Sequence, residues 1–456
     1  MTGAVLNTLN IRLEAETLAN IFEHAETKVL LTDREFSPQI KVALSKVKRD
    51  ILVIDIDDPE TESGEYLGML EYEAFLAEGD PEFEAVLPED DWQAVSLNYT
   101  SGTTGIPKGV VYHTRGAYLL ATGNVLAWEM PHRPVYLWTL PMFHCNGWCF
   151  PWSIAAVAGT NICLRRVNAA NIFAAIADHG VTHFCGAPIV LNFVVNATDE
   201  ARRDFDHTVN VMTAAAPPPA STLEQMQRQG FNVTHVYGLT ETYGPAVICA
   251  WHEEWNDRST SEQAELKSRQ GVNYHMLQEL QVMDPDTMTP VPNDGETMGE
   301  VMFRGNVVMK GYLKKSDATD ASLAGGWFHS GDLGVVHTDG YLQLKDRSKD
   351  VIKSGGEWIS SIDLENAAVG HPDVAEAAVI GVPHPKWDER PILIVVPAKS
   401  RQPAADDILG YLKGKVAKWW LPDDVVFVDE IPHTATVKIS KVQLRQTLKD
   451  YKLPEA

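Results

Sequence analysis

Short apolar runs alternate with helix-period segments through most of the first 340 residues. "KVLLTD" (28–33) and "DILVID" (50–55) read as buried strands around a helical "QIKVALSKVK" (39–48). "AANIFAAIADHG" (169–180) is an amphipathic helix ending at Gly180, followed by the strand "VTHFCGAP". A second helix, "ASTLEQMQRQG" (220–230), leads into the strand "NVTHVYG" (232–238). This strand–helix rhythm predicts α/β layers around parallel sheet. From 283 to 312 the texture changes to Gly/Pro-punctuated strands, a β-rich subdomain. The charged stretch "KDRSKD" (345–350) reads as a joint, which divides the chain into 1–345 and 346–456. Beyond it lies a small α+β unit with a strand at 391–398, a helix over 407–420 and a strand over 424–432.

Composition narrows the class. At 456 residues, 45% apolar and 22% charged, the chain reads as a soluble protein of two or more domains. A formal charge of −24 argues against nucleic acid or a polybasic membrane surface as partner. It does not argue against a small anion held by a local basic loop. Cys145, Cys149, Cys163, Cys185 and Cys249 are an odd number flanked by apolar residues, as expected of reduced, buried thiols in a cytoplasmic protein. The start carries no basic segment followed by an apolar run, and no stretch reaches spanning length.

Four stretches carry candidate chemistry. "YTSGTTGIPKG" (99–109) crowds Thr100, Ser101, Thr103 and Thr104 beside Lys108, among glycines that leave backbone N–H groups accessible. That suits a phosphate chain. It is not a Walker A loop, because Lys108 leads into a strand, and a polar hairpin is the alternative. "VYGLTETYGP" (236–245) places Tyr237, Thr240 and Glu241 at the carboxyl end of a strand, where α/β proteins bind ligands. A tyrosine can cover a base, and a glutamate can ligate Mg²⁺ through oxygen. In "GWFHSGDLGVVHTDGYLQLKDR" (326–347), Asp332 can accept both hydroxyls of a ribose and Arg347 can add a charge-assisted contact, while Asp339 belongs to a hairpin turn. In "IPHTATVKISKVQLR" (431–445), Lys438 lies among Thr434, Thr436 and Ser440.

In this order, the four stretches resemble the signature motifs of the acyl-adenylate-forming (AMP-binding) superfamily, and the likeness runs essentially end to end. The resemblance implies an ATP-dependent acid–CoA ligase. The carboxylate attacks the α-phosphorus of ATP, giving acyl-AMP and pyrophosphate, and the thiol of coenzyme A then displaces AMP. It implies that Lys438 bridges carboxylate and α-phosphate, while Lys108 with Thr100, Ser101, Gly102, Thr103, Thr104 and Gly105 steadies the departing pyrophosphate. Glu241 and Thr104 would hold Mg²⁺, Thr240 would touch the α-phosphate, and Asp332 and Arg347 would hold the ribose. Tyr237, Gly238 and the backbone of Ala215, Ala216 and Pro217 would enclose adenine.

Lys349 matches the family's hinge, about which the small domain rotates between the two half-reactions. Gly355 and Gly356 would then admit the pantetheine arm of CoA, with Trp358 along it. "LPMFHCNGWCFPW" (140–152) resembles the segment that holds a gating histidine and a pocket aromatic. His144 and Trp148, four apart, are expected to share a helix face over the acid. This segment looks most like bacterial short- and medium-chain ligases, in particular 3-methylmercaptopropionate-CoA ligases, with plant benzoate and short-chain ligases also similar.

Two departures stand out. Val437 replaces the glycine that usually precedes the motif lysine, and a β-branched residue resists positive φ. The chain also starts at what resembles an internal family segment, "GAVLNTLNIRL". A missing N-terminal stretch is therefore expected to expose apolar surface unless a partner or homodimer covers it. Two other functions fit parts of the pattern: an adenylating enzyme that loads a carrier-protein thiol, and a nucleotide- or acyl-binding protein without catalysis.

Overall fold

The computed structural model describes residues 3–100, 107–214, 220–355, 357–433, 439–449 and 451–453. Two compact units divide the chain. One comprises Met1–Thr114 with Lys310–Ser316, the other Arg115–Met309 with Asp317–Ala456.

In the first unit, strands Val29–Asp33, Leu52–Ile56 and Leu70–Glu71 form a parallel sheet. Helices Ala15–His24 and Ser37–Lys46 bury Leu18, Phe22, Ile40 and Ala43 with Leu30. Side chains alternate faces along a strand, so Val29, Leu31 and Leu52 point away from this core and are exposed. A second sheet runs in the order Leu6–Asn7, Ala94–Tyr99, Gly109–His113, Gly311–Tyr312.

The second unit is built on a seven-stranded sheet. Five strands are parallel: Thr160–Cys163, Val135–Trp138, His183–Gly186, Val209–Thr213 and Phe231–Leu239. Gly244–Ile248 and Val272–Asn273 extend it antiparallel. Helices Ala169–His179 and Pro188–Val195 cover it through Ile172, Phe173, Ile176 and Leu191, against Phe184, Val211 and Phe231. Each such side chain contributes about 1.5–3 kcal/mol on full burial. Cys145, Cys149, Cys185 and Cys249 are buried and free, but Cys163 is exposed. The expectation of five buried thiols fails there because Cys163 ends an edge strand.

The β-rich part is larger than its texture suggests. An antiparallel sheet joins Thr289–Pro290, Glu279–Asp284, Gly299–Arg304, Phe328–Val336 and Leu342–Arg347. Gly311–Tyr312 leaves it to pair with Gly109–His113. Residue 345 lies inside the last strand, and the chain turns only at 348–350.

The C-terminal α+β portion packs helices Ser361–Val369 and Ala405–Leu412 on a sheet whose central strands are Val374–His384 and Asp388–Pro397. The helix expected over 407–420 stops at Leu412. Gly414, at φ 82°, reverses the chain, and only a short 3₁₀ turn, Lys418–Trp420, follows. Among the described residues no helix is long and apolar enough to cross a membrane.

Candidate active site

The strand Phe231–Leu239 delivers Tyr237 to a carboxylate that the β-rich sheet supplies. Asp332 and Arg347 face each other across adjacent antiparallel strands, a spacing at which opposite charges meet. Arg347 Nε lies 3.1 Å from Asp332 Oδ1, and the Tyr237 hydroxyl donates to Asp332 Oδ2 at 2.6 Å. Asp332 is buried, whereas Arg347 is partly open to solvent. Burial raises the Tyr237 phenol well above its usual value, with the Asp332 charge adding to the effect. It therefore stays a donor. Asp332 raises Arg347 in turn. A carboxylate oxygen offers about two acceptor positions, so one remains on each oxygen of Asp332 after these two contacts. That fits the vicinal hydroxyls of a ribose.

Beyond Tyr237 the chain turns through a short 3₁₀ segment, Thr240–Thr242, and returns as Gly244–Ile248. The buried Thr242 hydroxyl pins the turn. It accepts from Leu239 N at 2.9 Å and lies 3.0 Å from the Gly244 carbonyl. The Glu241 carbonyl accepts from Met309 N at 2.8 Å. Glu241 is half-buried. Gly244, at φ 140°, leaves room for Trp148, whose Cα would lie 3.1 Å from an added Cβ.

His144 and Trp148 do not share a right-handed helix face. Cys145, Asn146, Gly147, Trp148 and Cys149 all have positive φ, between 45° and 63°. The segment is a left-handed turn. Such backbone costs of order 4–8 kcal/mol over four non-glycine residues, so tertiary contacts must hold it. The Trp138 ring packs on Gly147, and Trp148 is buried against Gly244. The Cys145 thiol reaches the Thr240 hydroxyl at 3.7 Å. The sequence "HCNGWC" reads as helical by spacing alone, and its Asn-Gly pair is the one signal of left-handed backbone.

In the first unit, Gly109–His113 begins directly after Lys108, as the loop-then-strand reading expects. Thr100 N donates to the Lys108 carbonyl at 3.0 Å, closing the loop at its base. Lys108 Nζ lies over the Tyr312 ring, 4.6 Å from its centre. Ser101, Gly102, Thr103, Thr104, Gly105, Ala215, Ala216, Pro217, Gly356 and Lys438 lie outside the described residues.

Lys349 sits in the turn after Arg347, and burial with the neighbouring Arg347 charge lowers its amine. Gly355, at φ 62°, donates its N–H to the Trp387 carbonyl at 2.8 Å, and an added Cβ would meet the Trp387 ring at 2.7 Å. Trp358 is half-buried on the strand Glu357–Ile359 opposite Lys353, not enclosed in the core.

Sequence reasoning passed over a charged cluster beside these residues. Lys441 Nζ pairs with Glu365 Oε1 at 2.8 Å with both side chains largely buried, and also donates to the Ser361 hydroxyl. Ser361 N donates to Asp346 Oδ2 at 2.6 Å, and Arg347 N to Asp346 Oδ1 at 2.7 Å. Burial raises the carboxyls of Asp346, Asp363 and Glu365. Nothing local in the sequence marks these partners, since Asp346, the helix that carries both Ser361 and Glu365, and Lys441 come from three separate segments.

The AMP-binding enzyme family matches residues 1–313, and the AMP-binding enzyme C-terminal domain matches residues 363–438. The chain belongs to the AMP-binding enzyme family, on its acyl-CoA synthetase branch. Its class is that of an AMP-forming acid–CoA ligase working through an acyl-AMP. An acetate–CoA ligase of Humulus lupulus is 50% identical over 99% of this chain and 82% of its own length. A peroxisomal acetate/butyrate–CoA ligase of Arabidopsis thaliana is 49% identical over 99% of this chain and 82% of its own. Among solved structures, ATP-bound MatB from Rhodopseudomonas palustris superposes with a TM-score of 0.81 at 25% identity, covering 97% of this chain and 84% of its own. The o-succinylbenzoate coenzyme A synthetase of Bacillus subtilis, in complex with ATP and magnesium ion, gives 0.78 at 26% identity, over 96% and 83%.

Proposed function

We propose that this ligase converts a short aliphatic acid, ATP and coenzyme A into acyl-CoA, AMP and pyrophosphate. The observation that carries the nucleotide part is the Tyr237–Asp332–Arg347 arrangement. Its buried carboxylate is pre-aimed by two donors and keeps one acceptor position per oxygen, and preorganisation of this kind is what nucleotidyl transfer asks of a protein. Tyr237, Gly238 and the 215–217 backbone enclose adenine, while Thr240 contacts the α-phosphate. Lys108 and the hydroxyls of residues 100–104 hold the pyrophosphate as it leaves. Lys438 draws carboxylate and α-phosphate together. Among the described residues no group of three metal-ligating side chains exists. Glu241 and Thr104 would hold Mg²⁺, with oxygens of the nucleotide completing its shell, as is usual for this ion. It supplies charge neutralisation on the phosphates.

Relatives named for acetate, acetate/butyrate and 2-methylpropanoate support a short acid. A relative from Petunia hybrida named for trans-cinnamate keeps aromatic acids in the test. The small C-terminal part then rotates about Lys349, bringing Gly355, Gly356 and Trp358 to the pantetheine arm.

The test is pyrophosphate release by the purified chain with ATP and Mg²⁺, with and without CoA. The acids are acetate, butyrate, hexanoate, 3-methylmercaptopropionate, benzoate and a long fatty acid. Release with one short acid, stimulated by CoA and abolished in Lys438→Ala, is the expected result. Release that CoA does not stimulate would point to a carrier-protein thiol. A folded, ATP-binding protein silent with every acid would overturn the ligase reading in favour of a binding protein.

A further inference from the structure

Asn124 closes a buried circuit around the left-handed turn. It lies on the helix Thr114–Ala127, and its Nδ2 donates to the Trp148 carbonyl at 2.9 Å and to Ser153 Oγ at 3.1 Å. Its Oδ1 accepts from the Tyr274 hydroxyl at 2.9 Å. Tyr274 N in turn donates to the Ala246 carbonyl at 2.9 Å, on the strand that starts at Gly244. Trp148 presses on Gly244 of that same strand, and Cys145 reaches Thr240 just before it. The circuit thus runs Asn124, Trp148, Gly244, Ala246, Tyr274 and back to Asn124. All of its members are buried.

We propose that Asn124 is a positioning residue that sets which acid the site accepts. The backbone of the left-handed turn resists its own conformation, so the place of Trp148 depends on what holds its carbonyl. A donor amide facing that carbonyl fixes the turn, and an acceptor on the same side chain fixes Tyr274. Asparagine supplies both at once. The circuit therefore couples Trp148, the aromatic expected over the acid, to the 240–244 segment proposed to meet the adenylate. This inference rests on the proposed roles of Trp148 and Thr240.

Asn124→Asp keeps the acceptor and the volume but loses both N–H donors. With the short acid that the pyrophosphate assay selects, the KM for acid should rise at least tenfold while the KM for ATP stays within twofold. The kcat/KM preference for that acid over benzoate should fall at least fivefold. Tyr274→Phe removes one bond of the circuit and should shift the same quantities in the same direction by less. A rise in both KM values together, or an unchanged preference in either folded variant, would overturn the assignment. Amide hydrogen exchange gives a readout free of turnover. Peptides spanning 143–150 and 238–246 should lose protection together in Asn124→Asp, with 172–195 unaffected. Loss confined to 143–150 would break the coupling and the proposal with it. If the wild type shows no acid-dependent release, the ligase reading has failed, and the exchange measurement decides the coupling by itself.

Discussion

Replacing Asp332 by asparagine is the sharpest probe of the nucleotide site. The side chain keeps its shape, but one carboxylate oxygen becomes an NH₂ group that cannot accept. Two donors now approach Asp332 from the protein, Tyr237 at 2.6 Å and Arg347 at 3.1 Å. In Asp332→Asn only one oxygen remains to serve them and the ribose. At least one charge-assisted hydrogen bond to the nucleotide is lost, worth about 1.5–3 kcal/mol. At 1.4 kcal/mol per tenfold, ATP affinity should fall by about 10- to 150-fold. Stability should fall by at most about 1.5–3 kcal/mol, because the Asp332 side chain is only 7% exposed and the bond it accepts from the buried Tyr237 hydroxyl is charge-assisted. The assay is calorimetric titration of ATP into folded wild type and variant, with the KM for acid measured alongside. ATP binding within twofold of wild type, or an acid KM that rises as far as the ATP constant falls, would refute the reasoning.

Three further outcomes follow from local geometry. Gly238→Ala would place a Cβ 1.8 Å from the Gly244 carbonyl oxygen, so urea denaturation should show a loss of about 1–3 kcal/mol or more, and an unchanged midpoint would contradict the packing. Lys441→Met leaves Glu365 buried without its counter-charge, a loss of about 3–5 kcal/mol at neutral pH that pairing with Glu365→Met should largely restore. Because burial already raises the Glu365 carboxyl, that loss should shrink as the pH falls and the carboxyl takes up a proton. Burial also lowers the His183 imidazole to about 4. Between pH 6.5 and 4 the unfolded chain therefore binds a proton that the folded one refuses, and stability declines as the pH falls. His183→Gln should flatten the pH dependence of unfolding there by about 1.4 kcal/mol per unit, and identical slopes would exclude the assignment.

The parallel core was legible because its central strands are buried on both faces and its helices are amphipathic, so runs such as "VTHFCGAP" and "AANIFAAIADHG" announce themselves. The motif positions Tyr237 and Asp332 were legible too, but not the hydroxyl-to-carboxylate bond between them. A contact 95 residues apart in sequence leaves no periodic trace. The left-handed turn at 145–149 defeated spacing arguments because 3.6-residue periodicity presupposes right-handed backbone, and only neighbours such as Asn124 and Gly244 make the other hand tenable. At 407–420 an apolar pattern continued past the point where Gly414 reverses the chain. The partners Lys441 and Glu365 were invisible for a different reason. A lysine in the first turn of a helix is ordinarily a solvated charge, and only the packing of two distant helices encloses this one.

Arg347 has two occupations that cannot be separated. Its side chain holds the Asp332 carboxylate proposed to receive the nucleotide, and its carbonyl accepts from both Asp350 N and Val351 N at 2.8 Å, starting the turn that leads to the C-terminal portion. Any change in direction at that turn tilts the peptide from which the guanidinium hangs. Thermodynamic linkage makes the traffic two-way. If a bound nucleotide favours one setting of the turn by some factor, that setting must tighten nucleotide binding by the same factor. On the proposed reading, a setting of the turn that disfavours the nucleotide would weaken AMP binding by the same factor, so the chain beyond residue 347 and the ribose site would share one equilibrium.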